Sequence, residues 1–399
     1  MFSSRTNWRL EPNRFALALE AHRRSGRRLL DLTASNPTSC GFRYPEQEIL
    51  AALADRRALE YRPESRGLQE TRAAVCDYYF ADAQGRGRAG FSGSAKRIDP
   101  ERIFLTSSTS EAYTYVFRLL CEAGDEILVP APSYPLLEFL ADLADIRLTP
   151  YPLLYDHGWQ IHLSGLRAAL TPKSRALLVV HPNNPTGSFV KPREAAELAA
   201  ICAERELAVV ADEVFLDYAD GAILAPTFAL DDSVLTFTLS GLSKIVALPQ
   251  MKLAWIAVSG PETLAQQAIG RLEVIADTYL SPSTPVQLAT PAFLALRGDL
   301  QAQLQQRIAT NLAHLDDALR GPSPITRLDR EGGWYAVLRV PASAEDDAVA
   351  VDLLERHSVL VHPGHFFNFA RDGFLVLSLI ALEADLLEGM KRIRAFFAA

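Results

Sequence analysis

Cysteine is scarce in this chain. Cys40, Cys76, Cys121 and Cys202 are the only four among 399 residues, and they stand too far apart for a metal-ligand pattern. They read as free, mostly buried thiols of a reducing compartment, so no metal site is expected. An excess of positive charge is missing too. Forty Lys and Arg face 48 Asp and Glu, for a net charge of −8, which argues against a nucleic-acid surface. The densest basic cluster, Arg23-Arg24 with Arg27-Arg28, reads as a solvated helix face. No apolar run approaches a membrane span, and Met1–Arg5 has no apolar core of a signal peptide. Internal repeats and low-complexity segments are absent. So is any Gly-x-Gly-x-x-Gly turn after a strand, the main mark of a dinucleotide-dependent oxidoreductase. The expectation is a soluble cytoplasmic protein with neither nucleic-acid nor membrane partners.

Apolar residues, at 49% of the chain, suffice for a sizeable core. Helical patterns occupy 11–28, 46–58 and 67–80, and the glycine-dotted stretch 82–100 reads as an exposed loop. From residue 102 short apolar runs alternate with helix-length amphipathic segments. The runs lie at 103–105, 127–129, 176–180, 207–211, 234–238 and 253–258. Most are continuously apolar, the mark of strands covered on both faces, hence an α/β fold with a mostly parallel sheet. A helix at 261–279 ends at the Pro-rich Ser281–Pro285, and helices follow at 286–297 and 299–319. Beyond 324, strand-like runs mix with helices near 345–357 and 383–398. The expected division is a large domain at 45–285 and a smaller α+β domain at 286–399, completed by residues 1–44.

In open α/β sheets ligands bind beyond the carboxyl ends of the strands, and four such loops carry suitable groups. Thr106-Ser107-Ser108-Thr109-Ser110-Glu111 opens a helix; it reads as a plain N-cap or as an anion site built on free backbone N–H groups. Asn183-Asn184-Pro185-Thr186-Gly187 is a turn by composition, or else aims an amide at a phenolate-like oxygen. Asp212 ends an apolar run and either caps a helix or faces a protonated pyridine nitrogen. Lys244, in Ser240-Gly241-Leu242-Ser243-Lys244, is either a solvated turn lysine or an amine desolvated for Schiff-base chemistry. A lysine, a carboxylate and an amide on successive strand ends suit an aldehyde cofactor with a basic ring nitrogen, which is pyridoxal 5'-phosphate (PLP).

With these residues in place the chain resembles the class I/II aminotransferases, fold-type-I PLP enzymes of the aspartate aminotransferase superfamily. The resemblance covers nearly the whole chain. It implies a large domain with a mostly parallel seven-stranded sheet, a smaller α+β domain, and a homodimer with shared active sites. It makes Lys244 the Schiff-base residue, Asp212 the pyridinium partner and Asn184 the contact to the ring oxygen. Tyr134, in Pro132-Ser133-Tyr134-Pro135, matches the aromatic that stacks on the ring. Ser108, Thr109, Ser110 and Ser243 match phosphate contacts, and Tyr61, with Gly67 and Arg72 after it, matches a residue reaching a neighbouring subunit's phosphate. Asn36-Pro37 resembles a substrate loop of alanine-aminotransferase-like members, and Tyr335, after Gly332-Gly333-Trp334, faces the substrate side chain.

The chain departs from the family pattern at three places. Phe215 stands where tyrosine usually donates to the ring oxygen, so the pKa of the lysine–cofactor linkage is expected to rise. Lys252 replaces an arginine against the phosphate, keeping the charge without the fork. Val376, in Gly373-Phe374-Leu375-Val376-Leu377-Ser378, stands where an arginine usually holds the substrate α-carboxylate. Arg371 is the nearest candidate in sequence to replace it, with a solvated loop residue as the equal alternative. In His362-Pro363-Gly364-His365-Phe366-Phe367, His365 reads as packed beside the two phenylalanines in preference to contacting a ligand.

The resulting expectation is a PLP-dependent transaminase that moves an amino group between an amino acid, or an amine, and a 2-oxo acid. A lyase, racemase or decarboxylase on the same fold is the alternative, separated by whether an oxo acceptor is needed for multiple turnovers. A PLP-binding regulatory protein is the non-enzymatic alternative, but such regulators carry a DNA-binding segment ahead of this fold, and the short acidic-balanced N-terminus offers none.

Overall fold

The computed structural model describes residues 1–82, 85–93, 96–135, 137–221 and 224–398. Its strands, in chain order, are β1 (Leu30–Asp31), β2 (Ile103–Thr106), β3 (Glu126–Ala131), β4 (Arg147–Tyr155), β5 (Trp159–Ile161), β6 (Ser174–Val180), β7 (Ala208–Asp212), β8 (Thr236–Gly241), β9 (Ala254–Ser259), β10 (Thr326–Arg327), β11 (Tyr335–Arg339), β12 (Val359–Leu360), β13 (His362–Pro363) and β14 (Phe374–Ser378).

The large sheet has the order β2-β9-β8-β7-β6-β3-β4-β5. From β8 through β4 every neighbouring pair is parallel. β9 runs antiparallel to both β2 and β8, and β5 antiparallel to β4. The sheet is therefore mostly parallel, with the three-residue edge strand β5 added to the seven expected. Residues of β7, β8 and β9 are buried throughout, because helices cover both faces. Successive side chains point to opposite faces. Leu178 and Val210 join Phe117 and Leu272 under the helices Thr109–Leu120 and Glu262–Tyr279. Their neighbours Leu177 and Val209 join Leu198 and Ile201 under the helix Pro192–Arg205.

A second, antiparallel sheet has the order β10-β11-β14-β13. Leu30 and Asp31 of β1 pair in parallel with Val359 and Leu360 of β12, so the N-terminal segment is tied to the C-terminal third. Leu30, Leu32, Val337, Leu353 and Val376 share one core. The helix Thr284–Ala295 places Ala289, Phe293 and Leu294 in the same core as Tyr79 and Trp255.

One expectation is corrected here. The stretch 82–100 is not simply an exposed loop: Asp82 and Arg88 are buried, and the Arg88 guanidinium pairs with Asp217. Residues 83–84 and 94–95 of that stretch lie outside the described residues. Among the described residues, no helix is long and apolar enough to cross a membrane, and no cluster of His, Cys, Asp or Glu could hold a metal.

Candidate active site

Strand order reverses between β3 and β6, where β4 continues to one side and β7, β8 and β9 to the other. This is the switch point at which open α/β sheets bind ligands. Asp212 is the last residue of β7 and lies opposite Val180 on β6 and Leu239 on β8. β8 ends at Gly241, where a Cβ would come within 2.9 Å of the Leu253 carbonyl oxygen. Only glycine lets the chain turn there into the short helix Leu242–Ile245 that carries Lys244.

The Lys244 amine is half-buried among rings. Its Nζ lies 4.8 Å from the Trp334 ring centroid and 5.5 Å from that of Phe215. Burial lowers its pKa to about 8, partly opposed by the charge of Asp212. The Lys244 carbonyl accepts a 2.7 Å hydrogen bond from the Tyr218 hydroxyl, which pins the backbone and leaves the side chain to move.

Asp212 is buried and doubly bonded in place. Its Oδ2 accepts from the Tyr113 hydroxyl at 2.7 Å and its Oδ1 from the Val214 N–H at 3.1 Å. Burial pushes the carboxyl pKa up, while the two hydrogen bonds and Lys244 hold it down. Glu213, next in sequence, points the other way into a buried site, bonded by the Thr227 hydroxyl at 2.6 Å and the Phe228 N–H at 2.7 Å.

In the turn after β6, Asn183 Oδ1 accepts from the Thr186 hydroxyl at 3.0 Å, and its backbone bonds Gly187 and Ser188. Asn184 is also buried, but its Oδ1 has no hydrogen-bond partner among the described residues. The two ends of such an amide interchange by a half-turn, so Asn184 offers either a donor or an acceptor to a group the chain itself does not supply.

At the start of the helix Thr109–Leu120, Ser108 Oγ accepts from the Glu111 N–H at 3.1 Å, and Glu111 in turn accepts from Ser107 N–H at 2.6 Å. The Ser108 side chain therefore caps the helix. Helix-start N–H groups such as those of Thr109 and Ser110 have no intrahelical acceptor. Ser243 is half-buried and Lys252 is exposed.

Tyr134 is 44% exposed; partial burial raises its phenol pKa, and the nearby charge of Asp212 adds to this. Its turn is held by a hydrogen bond from the Ser133 N–H to the Phe367 carbonyl, 2.8 Å. Phe215 is buried and meets Trp334 edge to face, centroids 5.3 Å apart, with Tyr335 at 6.3 Å. Burial pushes the Tyr335 phenol up to about 12, and a hydrogen bond with Ser35 opposes this. Lys244, Phe215, Trp334 and Tyr335 thus form one contiguous group, with Asp212, Tyr113 and Tyr134 beside it.

Other expected residues stand apart. Asn36 is exposed, and its Oδ1 is committed to Thr38, at 2.8 Å from the hydroxyl. Tyr61 is 80% exposed, in a surface cleft with Asp277 and Leu280. Arg371 is exposed, its guanidinium 5.8 Å above the Phe374 ring. Val376 is fully buried on β14, opposite Val337 and His362. His365 is exposed; the histidine packed against the phenylalanines is His362, stacked on Phe366 at 5.3 Å and edge-on to Phe367. Burial lowers the His362 pKa to about 4. Sequence reasoning missed Tyr113 altogether, although a helical residue four after Thr109 lies on the same face.

Residues 28–390 match the model of the family aminotransferase class I and II. The chain belongs to that family. Among relatives, it is 28% identical to glutamate-pyruvate aminotransferase AlaA of Haemophilus influenzae, over 91% of this chain and 89% of that protein. It is 27% identical to an alanine aminotransferase of Mycobacterium tuberculosis, over 96% of this chain and 88% of that one. Among solved structures, alanine aminotransferase from Pyrococcus furiosus superposes over the whole of both chains with a TM-score of 0.88 at 23% identity, which shows the shared fold. This class I/II aminotransferase is therefore an enzyme, and PLP is its cofactor. The residues present fit that cofactor. A desolvated amine, a buried carboxylate with lone pairs to spare, and an unbonded buried amide converge at three neighbouring strand ends.

Proposed function

We propose that Lys244 is the residue through which this aminotransferase binds PLP and carries the transferred proton. The observation supporting it is the Lys244 amine, desolvated to a pKa of about 8 between Trp334 and Phe215, one strand from the Asp212 carboxylate. Bound there, PLP supplies a carbonyl carbon for an amine and a ring that takes up electron density. Lys244 Nζ would hold the group at that carbonyl carbon. When free, Nζ would serve as general base and acid for the proton on the donor carbon bearing the nitrogen. Asp212, whose two hydrogen bonds favour its anion, would keep the ring nitrogen protonated. Asn184 would bond the ring oxygen, and Tyr134 would cover the ring face. Thr109, Ser110, Ser243 and Lys252 would attend the phosphate, with Ser108 fixing the helix start behind them.

The remaining assignments are proposals of the same kind. The enzyme works as a cytoplasmic homodimer in which Tyr61, so exposed on one protomer, reaches the partner's phosphate. The pair of substrates is a small amino donor and a 2-oxo acid, as the names of the relatives suggest. Tyr335 and Phe215 give the donor an apolar surround, from which Asn36 and Arg371 stand apart in the single chain. With valine at 376, the donor is gripped less by its carboxylate than by its apolar body.

Adding PLP to the purified protein should give a visible absorbance band that Lys244→Ala abolishes together with turnover. A Lys244→Ala variant that still transaminates at the normal rate overturns the assignment. A panel of amino acids and simple amines, each tested for bleaching that band in a single half-reaction, then identifies the donor. Bleaching by amines alone would mark Val376 as a change of substrate class.

A further inference from the structure

Tyr113 has no part in the reaction proposed above, yet it makes the shorter of the two hydrogen bonds to the Asp212 carboxylate. We propose that Tyr113 is a positioning residue for the cofactor ring nitrogen, acting through the Asp212 carboxylate. This rests on reading Asp212 as the partner of that nitrogen.

A carboxylate oxygen accepts two hydrogen bonds. Tyr113 fills one site on Oδ2 at 2.7 Å, and the Val214 N–H fills one on Oδ1 at 3.1 Å. Two donors from different elements, a helix and the chain beyond β7, fix the plane of the carboxylate and leave a lone pair for a ring N–H. They also keep it charged. In a buried site the neutral acid is favoured unless hydrogen bonds stabilise the anion. A neutral acid cannot hold a ring nitrogen as a cation. The Tyr113 phenol is fully buried and shifted far above its usual range, so it remains a donor throughout the working pH.

The placement of Tyr113 adds a second argument. It lies one helical turn beyond Thr109, about 6 Å along the axis at 1.5 Å per residue. The start of the same helix faces the expected phosphate. One rigid helix, Thr109–Leu120, therefore registers both ends of the cofactor. The ring of Tyr113 packs against Phe117, centroids 5.8 Å apart, which holds its rotamer. Phe215 cannot donate, whereas the Tyr113 phenol donates to the carboxylate expected on the ring-nitrogen side.

The test is Tyr113→Phe in the full-length protein reconstituted with PLP, which keeps the ring and its packing. Expected are a PLP affinity weaker by about tenfold, as for loss of a hydrogen bond to a charged group, and a higher midpoint for the pH titration of the visible band. The expected kcat falls while KM for the donor changes little. In an Asp212→Asn background the same substitution should leave the titration midpoint where it was. Wild-type affinity and titration in Tyr113→Phe overturn the proposal. So does an equal shift in the Asp212→Asn background, or a loss of thermal stability with no spectral change. A wild-type protein that gives no visible band with PLP overturns the function on which the proposal rests.

Discussion

The Lys244 amine lies 4.8 Å from the centre of the Trp334 indole ring, over its face. A π face attracts a cation, but the water that would solvate the cation is excluded, and exclusion wins: the amine titrates near 8, well below the usual lysine range. The neutral amine is the nucleophile. Its fraction grows as pH rises through about 8, where an exposed lysine would need a pH above ten. The rate of PLP capture by cofactor-free protein should climb with pH and level off above about 8. Stopped-flow absorbance across pH 6 to 10 measures this, and a rate still climbing tenfold per pH unit at pH 9.5 would contradict it.

Asn183 and Asn184 are adjacent, both buried, and used differently. The Asn183 side chain ties its own turn by accepting from the Thr186 hydroxyl and N–H, whereas the Asn184 amide oxygen is left unbonded. Asn183→Ala should lower the stability of cofactor-free protein by about 1 kcal/mol for each turn bond lost. Asn184→Ala should leave that stability nearly unchanged and weaken PLP binding severalfold. Thermal melts with and without PLP separate the two, and equal effects on cofactor-free protein would remove the distinction.

Glu213 gives the fold a pH dependence of its own. Burial pushes its carboxyl up to about 7, above the ordinary glutamate value of 4.5. The folded state thus keeps a proton that the unfolded chain has released. Stability from this group is complete below about pH 4.5 and is lost as pH rises toward 7, with a total of roughly 3 kcal/mol. Glu213→Gln keeps both hydrogen-bonding positions and has no charge to bury. The urea midpoint of wild type should fall relative to that of Glu213→Gln between pH 4.5 and 7.5, and parallel curves would refute the assignment.

These groups differ in how far the sequence discloses them. β7, β9 and β6 from Ala176 on are nearly continuous apolar runs because helices cover both faces, and that pattern needs no partner to be read. β4 escaped because it carries Pro150 and Pro152 and is half-exposed along its length, so it has neither the continuous nor the alternating signature. Lys244, Asp212 and Asn184 are legible because each polar residue interrupts or ends such a run. Tyr113 is not. An aromatic residue in an amphipathic helix has core packing as its ordinary use, and only the approach of β7 turns it into a donor. Arg88 fails for the same reason in a glycine-rich stretch, since its partner Asp217 is far away in sequence. His365 and His362 carry the same chemistry three residues apart, and only the pairing of β13 with β14 decides which one is turned inward.

Phe215 supplies the last prediction. Its ring is buried, edge to face with Trp334 and 5.5 Å from Lys244 Nζ, so the site holds an aromatic ring of tyrosine's shape without its hydroxyl. A phenol at this position would donate to the cofactor's ring oxygen and favour its anionic form. A hydrogen bond to a charged acceptor is worth about 1.5–3 kcal/mol, equivalent to about one to two pKa units. Phe215→Tyr should therefore lower the titration midpoint of the visible band by about one unit or more, with the donor's KM little altered. The direction follows from where the anion sits: a donor beside it stabilises the deprotonated state, so the proton leaves at lower pH. Spectral titration of the two proteins side by side decides the matter. An unchanged midpoint would mean that the ring at 215 does not face the cofactor oxygen, and that the absence of a phenol there has no chemical consequence.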